Sequence, residues 1–199
     1  MDTELLAATL AFLLPMCFSP GPNNVLCAAH GSQHGFKQSL SMISGMALGW
    51  STLGLIVAVA TGAIEEFQRA FDLITYVGVA YIAYLSFKIA TSKPLEKGER
   101  SEERLGFSTG VALQFVNGKA YVHFGVLMTS FGTLFGTTLS GKVLLILLNL
   151  ACGLPAVMTW AAFGTGLRRA FATPESAKIL NWGMGSMLFA VAIWLVFPY

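Results

Sequence analysis

The chain has 199 residues, of which 55% are hydrophobic and 11% charged, with a formal net charge of +2 and a mean hydropathy of +0.67. Soluble domains carry about 25% charged residues, so this composition excludes an ordinary soluble domain and implies an integral membrane protein. The longest polar stretch, Lys93 to Gly106, leaves no room for a separate soluble domain.

A helix needs about 20 apolar residues to cross roughly 30 Å of hydrocarbon. Six segments qualify in chain order, at about 4–30, 38–64, 71–92, 107–134, 142–167 and 177–198. The expected fold is therefore all-α, with six transmembrane helices. Asp2 and Glu4 stand where a cleavable signal would carry Lys or Arg, so the first segment is expected to be retained.

The first segment contains the stretch "FSPGPNNVLCAAHG", Phe18 to Gly31. Proline removes an N–H and clashes with the preceding turn, and asparagine needs hydrogen-bond partners away from water. Ser19, Pro20, Gly21, Pro22, Asn23 and Asn24 are therefore expected to break the span. Pro22 suits the first position of a restarting helix, and Gly21 permits an unusual backbone angle. His30 and His34, at the end of the segment, read as interface residues.

In the second segment Gly45 and Gly49 form a small-xxx-small pair for close helix contact. In the third, Tyr81, Tyr84 and Lys88 share one face and read as an interface anchor. The connector Lys93 to Gly106 alternates Glu with Lys and Arg and reads as a solvated link.

The fourth segment, "FSTGVALQFVNGKAYVHFGVLM", is expected to break at Asn117-Gly118-Lys119. Lys119 lies deep in its span, where an unpaired charge costs about 2.5–3.5 kcal/mol. It reads as neutral at rest, or paired with carbonyls, or paired with substrate. His123 lies one helical turn later on the same face and is open to two readings, a proton carrier or a hydrogen-bonded bundle histidine. In the fifth segment Pro155 is expected to kink the helix. Trp182, Trp194 and Tyr199 fall near span ends, as interfacial aromatics do.

Basic residues set orientation. The 1–2, 3–4 and 5–6 connections receive nine, whereas the termini with the 2–3 and 4–5 connections receive only Arg69 and Lys142. Both termini are thus expected outside, with the charged connector in the cytoplasm. Six spans divide into residues 1–92, the connector 93–106 and residues 107–199. Three spans per half make the halves an inverted repeat, each broken in its first helix. Paired breaks point to a midplane binding site. Two positive helix ends and the Lys119 ammonium suit a carboxylate. Asn23, Asn24, Gln114 and Asn117 supply donors and acceptors for a small zwitterion.

At these residues the chain resembles the LysE/RhtB family of amino-acid exporters. The likeness is carried by "SPGPNN", "HGFKQSLSMISGMALGW", "YVGVAYIAYLSFKIATS" and "GVALQFVNGKAY". The family's second motif is usually Asn-Pro-Lys, and Gly118 replaces the proline here. "SQHGFKQS", "KIATS" and "ALQFVN" look most like the cysteine/O-acetylserine exporter branch. The resemblance implies a bacterial cytoplasmic-membrane exporter of small amino acids, coupled to protons. Pro20, Gly21, Pro22, Asn23 and Asn24 would form one half of its site, and Asn117 and Lys119 the other.

A different class, a transmembrane thiol–disulfide relay, would use Cys17, Cys27 and Cys152. They carry no CxxC spacing and none lies in span 4, so small packing residues are the plainer reading. The sequence has no HExxH motif and no intramembrane aspartate pair for an intramembrane hydrolase, and no midplane carboxylates for a hard cation. No metal, cofactor or nucleic-acid partner is expected. Oligomeric state stays open, since glycine-rich faces suit packing within one chain or between two.

Overall fold

A computed structural model of the chain describes residues 2–60, 68–92, 104–171 and 173–196. Among these residues every regular element is a helix: α1 Thr3–Phe18, α2 Pro22–His34, α3 Phe36–Ala60, α4 Gln68–Thr91, α5 Phe107–Phe115, α6 Gly118–Ser130, α7 Leu139–Ala170 and α8 Pro174–Val196. The six expected segments correspond to α1 with α2, α3, α4, α5 with α6, α7, and α8. By length and composition α3 and α7 can each cross a membrane, and α1 with α2 qualifies as one span bent by 44°. Residues 93–103 of the charged connector and Tyr199 lie outside the described residues.

Both breaks fall where expected but are shorter: the first spans Ser19 to Gly21, and the second begins one residue early, at Val116. A residue before proline is pushed out of the helical region. Ser19 precedes Pro20 and has φ −61°, ψ 147°, and Gly21 precedes Pro22 and has φ −167°, ψ 172°. The chain is thus extended for a few residues and helical again from Pro22, leaving Asn23 and Asn24 inside the first turn of α2. The second break has no proline. It occupies Val116 and Asn117 (φ −93°, ψ 96°), and α6 begins at Gly118.

Packing follows a reciprocal pattern. Helix α3 touches α5, α6 and α7, while α7 touches α1, α2 and α3; α4 lies along α8, α2 touches α8, and α4 touches α6. Small residues set the closest approaches. A side chain at Gly45 would strike the Phe107 carbonyl, one at Gly49 would strike Val111, and one at Gly110 would strike the Met42 carbonyl, so the expected α3 packing pair works against α5. Gly31 and Gly164 play the same part between α2 and α7, facing Ala161 and Ala28. The outward faces are apolar, with Phe87 68%, Ile179 67% and Val122 65% exposed, which suits contact with lipid tails. Trp182 is also exposed. Lys88 Nζ lies 5.6 Å above the exposed Tyr84 ring, in keeping with a surface anchor.

One expectation is corrected. His30 is not an interface residue: it is buried, with Nδ1 2.8 Å from Ser39 Oγ. The reason is that α2 runs inside the bundle, enclosed by α3, α7 and α8. Pro155 lies inside α7, which is helical from Leu139 to Ala170.

Candidate functional site

The two breaks meet at one cavity of about 70 Å³. Gly21, Pro22, Asn23, Asn24, Gln114, Asn117, Lys119 and His123 all line it. Pro20 does not; it is exposed.

Most of the polar side chains expected to face a ligand already have partners in the protein. The Asn24 amide donates to the Cys17 carbonyl at 2.7 Å and to the Ser19 carbonyl at 2.8 Å. The Lys119 ammonium donates to the Met16 carbonyl at 3.1 Å and to Ser19 Oγ at 2.7 Å. These groups satisfy the last carbonyls of α1, which a helix end otherwise leaves without partners. The ammonium also sits at the negative end of the α1 dipole. Lys119 is therefore paired with carbonyl and hydroxyl oxygen, one of the alternatives open from the sequence. Its stem runs over Gly21, where an added Cβ would lie 3.2 Å from Lys119 Cδ.

A second link joins the breaks. Asn23 Nδ2 donates to Gln114 Oε1 at 2.7 Å, and Gln114 Nε2 donates to the Gly110 carbonyl at 3.2 Å. The start of α2 is thereby tied to the end of α5. Neither restarting helix has a side-chain cap: Gly21 precedes α2 and Asn117 precedes α6. Their first-turn N–H groups and partial positive charge are directed at the break region. Asn117 Oδ1 is buried and has no partner among the described residues.

Sequence reasoning missed the third wall. Trp50 and Met46 of α3, and Leu150 and Leu154 of α7, give the cavity its apolar side. Behind it lies Asn149, fully buried, with Oδ1 3.1 Å from His123 Nε2. Asn149 is the lone polar side chain in the run "VLLILLNLACG", and a polar group at span depth is a usable signal. The three cysteines are free thiols. Cys17 lines the cavity, whereas Cys27 is buried against Met46 Sδ at 3.7 Å.

The LysE type translocator model matches residues 14–198. The chain is 33% identical to the cysteine/O-acetylserine efflux protein of Klebsiella pneumoniae subsp. pneumoniae, over 98% of this chain and 99% of that protein. It is 32% identical to the protein of that name from an Escherichia coli O139:H28 strain, over 97% and 98% of the two chains. The Salmonella typhimurium protein of that name is 31% identical, over 86% and 88%. No solved structure matches the chain. With almost its whole length covered, and with relatives that are translocators rather than enzymes, this chain belongs to the LysE type translocator family.

Proposed function

We propose that this chain is a secondary active exporter of small neutral amino acids or their derivatives, of the cysteine/O-acetylserine kind. It lies in the bacterial cytoplasmic membrane with both termini periplasmic, and inward-moving protons drive it. One observation carries the reading: two uncapped helix starts, the Lys119 ammonium and an idle Asn117 Oδ1 share one cavity. The helix N–H groups and Lys119 suit the substrate carboxylate, and Asn117 Oδ1 suits its ammonium. A buried water needs about 10–15 Å³ of such space, so roughly five to seven water-sized groups fit the cavity of about 70 Å³. That is the scale of a small amino acid, and the names of the relatives agree with it.

The mechanism is alternating access. Residues 1–92 and 107–199 are two inverted three-helix halves that rock about the breaks. His123 is the proposed proton carrier, with Lys119 the second candidate.

The test uses inside-out vesicles with an imposed proton gradient. Labelled cysteine, O-acetylserine, threonine, homoserine, leucine and lysine are supplied, beside vesicles lacking the protein. Accumulation of one or two small neutral amino acids, abolished by a protonophore, is expected. Absence of accumulation in vesicles holding folded protein would refute the reading and return attention to the cysteine relay.

A further inference from the structure

Asn149 is an expensive residue to keep where it is. It is fully buried in an apolar run of α7, and its Nδ2 has no hydrogen-bond partner among the described residues. A leucine would fill the same space without an idle donor. What the amide provides is its oxygen. Oδ1 is 3.1 Å from His123 Nε2 and also accepts from Cys17 Sγ at 3.8 Å. A carbonyl oxygen only accepts, so the bond to His123 requires the proton on Nε2.

The rest of the pocket around the imidazole is aromatic. Phe12 of α1 stacks at 5.4 Å, Trp50 of α3 lies at 5.2 Å, and Phe124 of α6 packs edge-on at 5.5 Å. These rings clamp the imidazole but offer no acceptor for a second N–H. The titratable groups around it are Lys119 one turn earlier on α6, Cys17 on α1 and Cys152 on α7. With Nε2 engaged by Asn149, Nδ1 is the nitrogen left for the cavity that His123 lines.

We propose that Asn149 is a positioning residue that holds His123 by Nε2, presents Nδ1 to the cavity, and thereby sets the pH range of proton-coupled export. A proton from outside binds Nδ1 and gives an imidazolium whose Nε2–H stays on Asn149 Oδ1. The same proton leaves from Nδ1 once the cavity opens to the cytoplasm, so one proton moves inward and the imidazole returns unchanged. This inference rests on the proton-driven reading above.

Two measurements test it. The first is the pH profile of O-acetylserine export in proteoliposomes, for the wild type, Asn149→Asp and Asn149→Leu. A carboxylate beside the imidazolium favours the charged form, so Asn149→Asp is expected to move the midpoint up by about one pH unit or more. Asn149→Leu is expected to move it down. Wild-type midpoints in both variants would overturn the proposal. The second needs only the native protein: nitrogen NMR of isotope-labelled histidine at high pH, with the signal assigned through His123→Gln. A neutral ring protonated on Nε2 is expected, and the opposite tautomer would overturn the positioning role. Wild-type export that ignores both pH and protonophore would instead defeat the proton-driven reading, while the NMR result still decides what Asn149 does.

Discussion

Lys119→Met separates the structural bonds of Lys119 from its proposed role in binding the substrate carboxylate. The substitution keeps the stem over Gly21 and removes the charge. It deletes the bonds to the Met16 carbonyl and to Ser19 Oγ, each a charge-assisted bond worth about 1.5–3 kcal/mol. The Met16 carbonyl is not orphaned, because Ser19 Oγ also donates to it at 3.0 Å. Against that loss, removing a charge from mid-span recovers about 2.5–3.5 kcal/mol on insertion scales. The two bonds total about 3–6 kcal/mol, so the recovered cost offsets about half of the loss or more, and the thermal midpoint in detergent is expected to fall only modestly. Substrate affinity has no such compensation. Losing one ammonium–carboxylate contact of about 1.5–3 kcal/mol weakens binding roughly tenfold to somewhat over a hundredfold. Equilibrium binding of labelled O-acetylserine to purified protein measures this directly. Unchanged affinity in folded Lys119→Met protein would refute the assignment of Lys119 to the carboxylate.

Asn24→Ala should behave in the opposite way. It strips the donor from the Cys17 and Ser19 carbonyls, at about 1–3 kcal/mol for each group left unsatisfied. A clear drop in thermal midpoint is expected, and a normal midpoint would show that water replaces the amide. Gly164→Val should prevent α2 and α7 from closing on each other, because Ala28 backbone occupies the added volume. Gly166→Ala, with nothing near its added carbon, should be neutral or stabilise by up to about 1 kcal/mol through helix propensity. Size-exclusion profiles and melting curves compare the two. The combined variant Cys17→Ser, Cys27→Ala and Cys152→Ser is expected to retain export in vesicles. Loss of transport in that variant, with folding intact, would favour the relay.

The helices and their breaks were legible because their causes are local. Two X-Pro steps in close succession, with a glycine between the prolines, push Ser19 and Gly21 out of the helical region, and apolar length sets where each segment runs. The second break was legible only by comparison with the first, since Gly118 and Asn117 weaken a helix without forbidding it. Pairings across the bundle were not legible. Composition identified Asn23, Asn24, Gln114 and Lys119 as polar groups needing partners, yet each has a partner on another element. Asn24 reaches back across the first break, and Lys119 reaches from α6 to α1 over a separation of about one hundred residues. His30 shows the same limit. Its position near the end of a span suggested water, whereas the enclosure of α2 by three helices buries it. The depth of a polar residue follows from its own segment, but its partner follows from how segments meet. Asn149 lies between these cases: its isolation in an apolar run marks it as unusual, and only the approach of α6 gives its oxygen a histidine to hold.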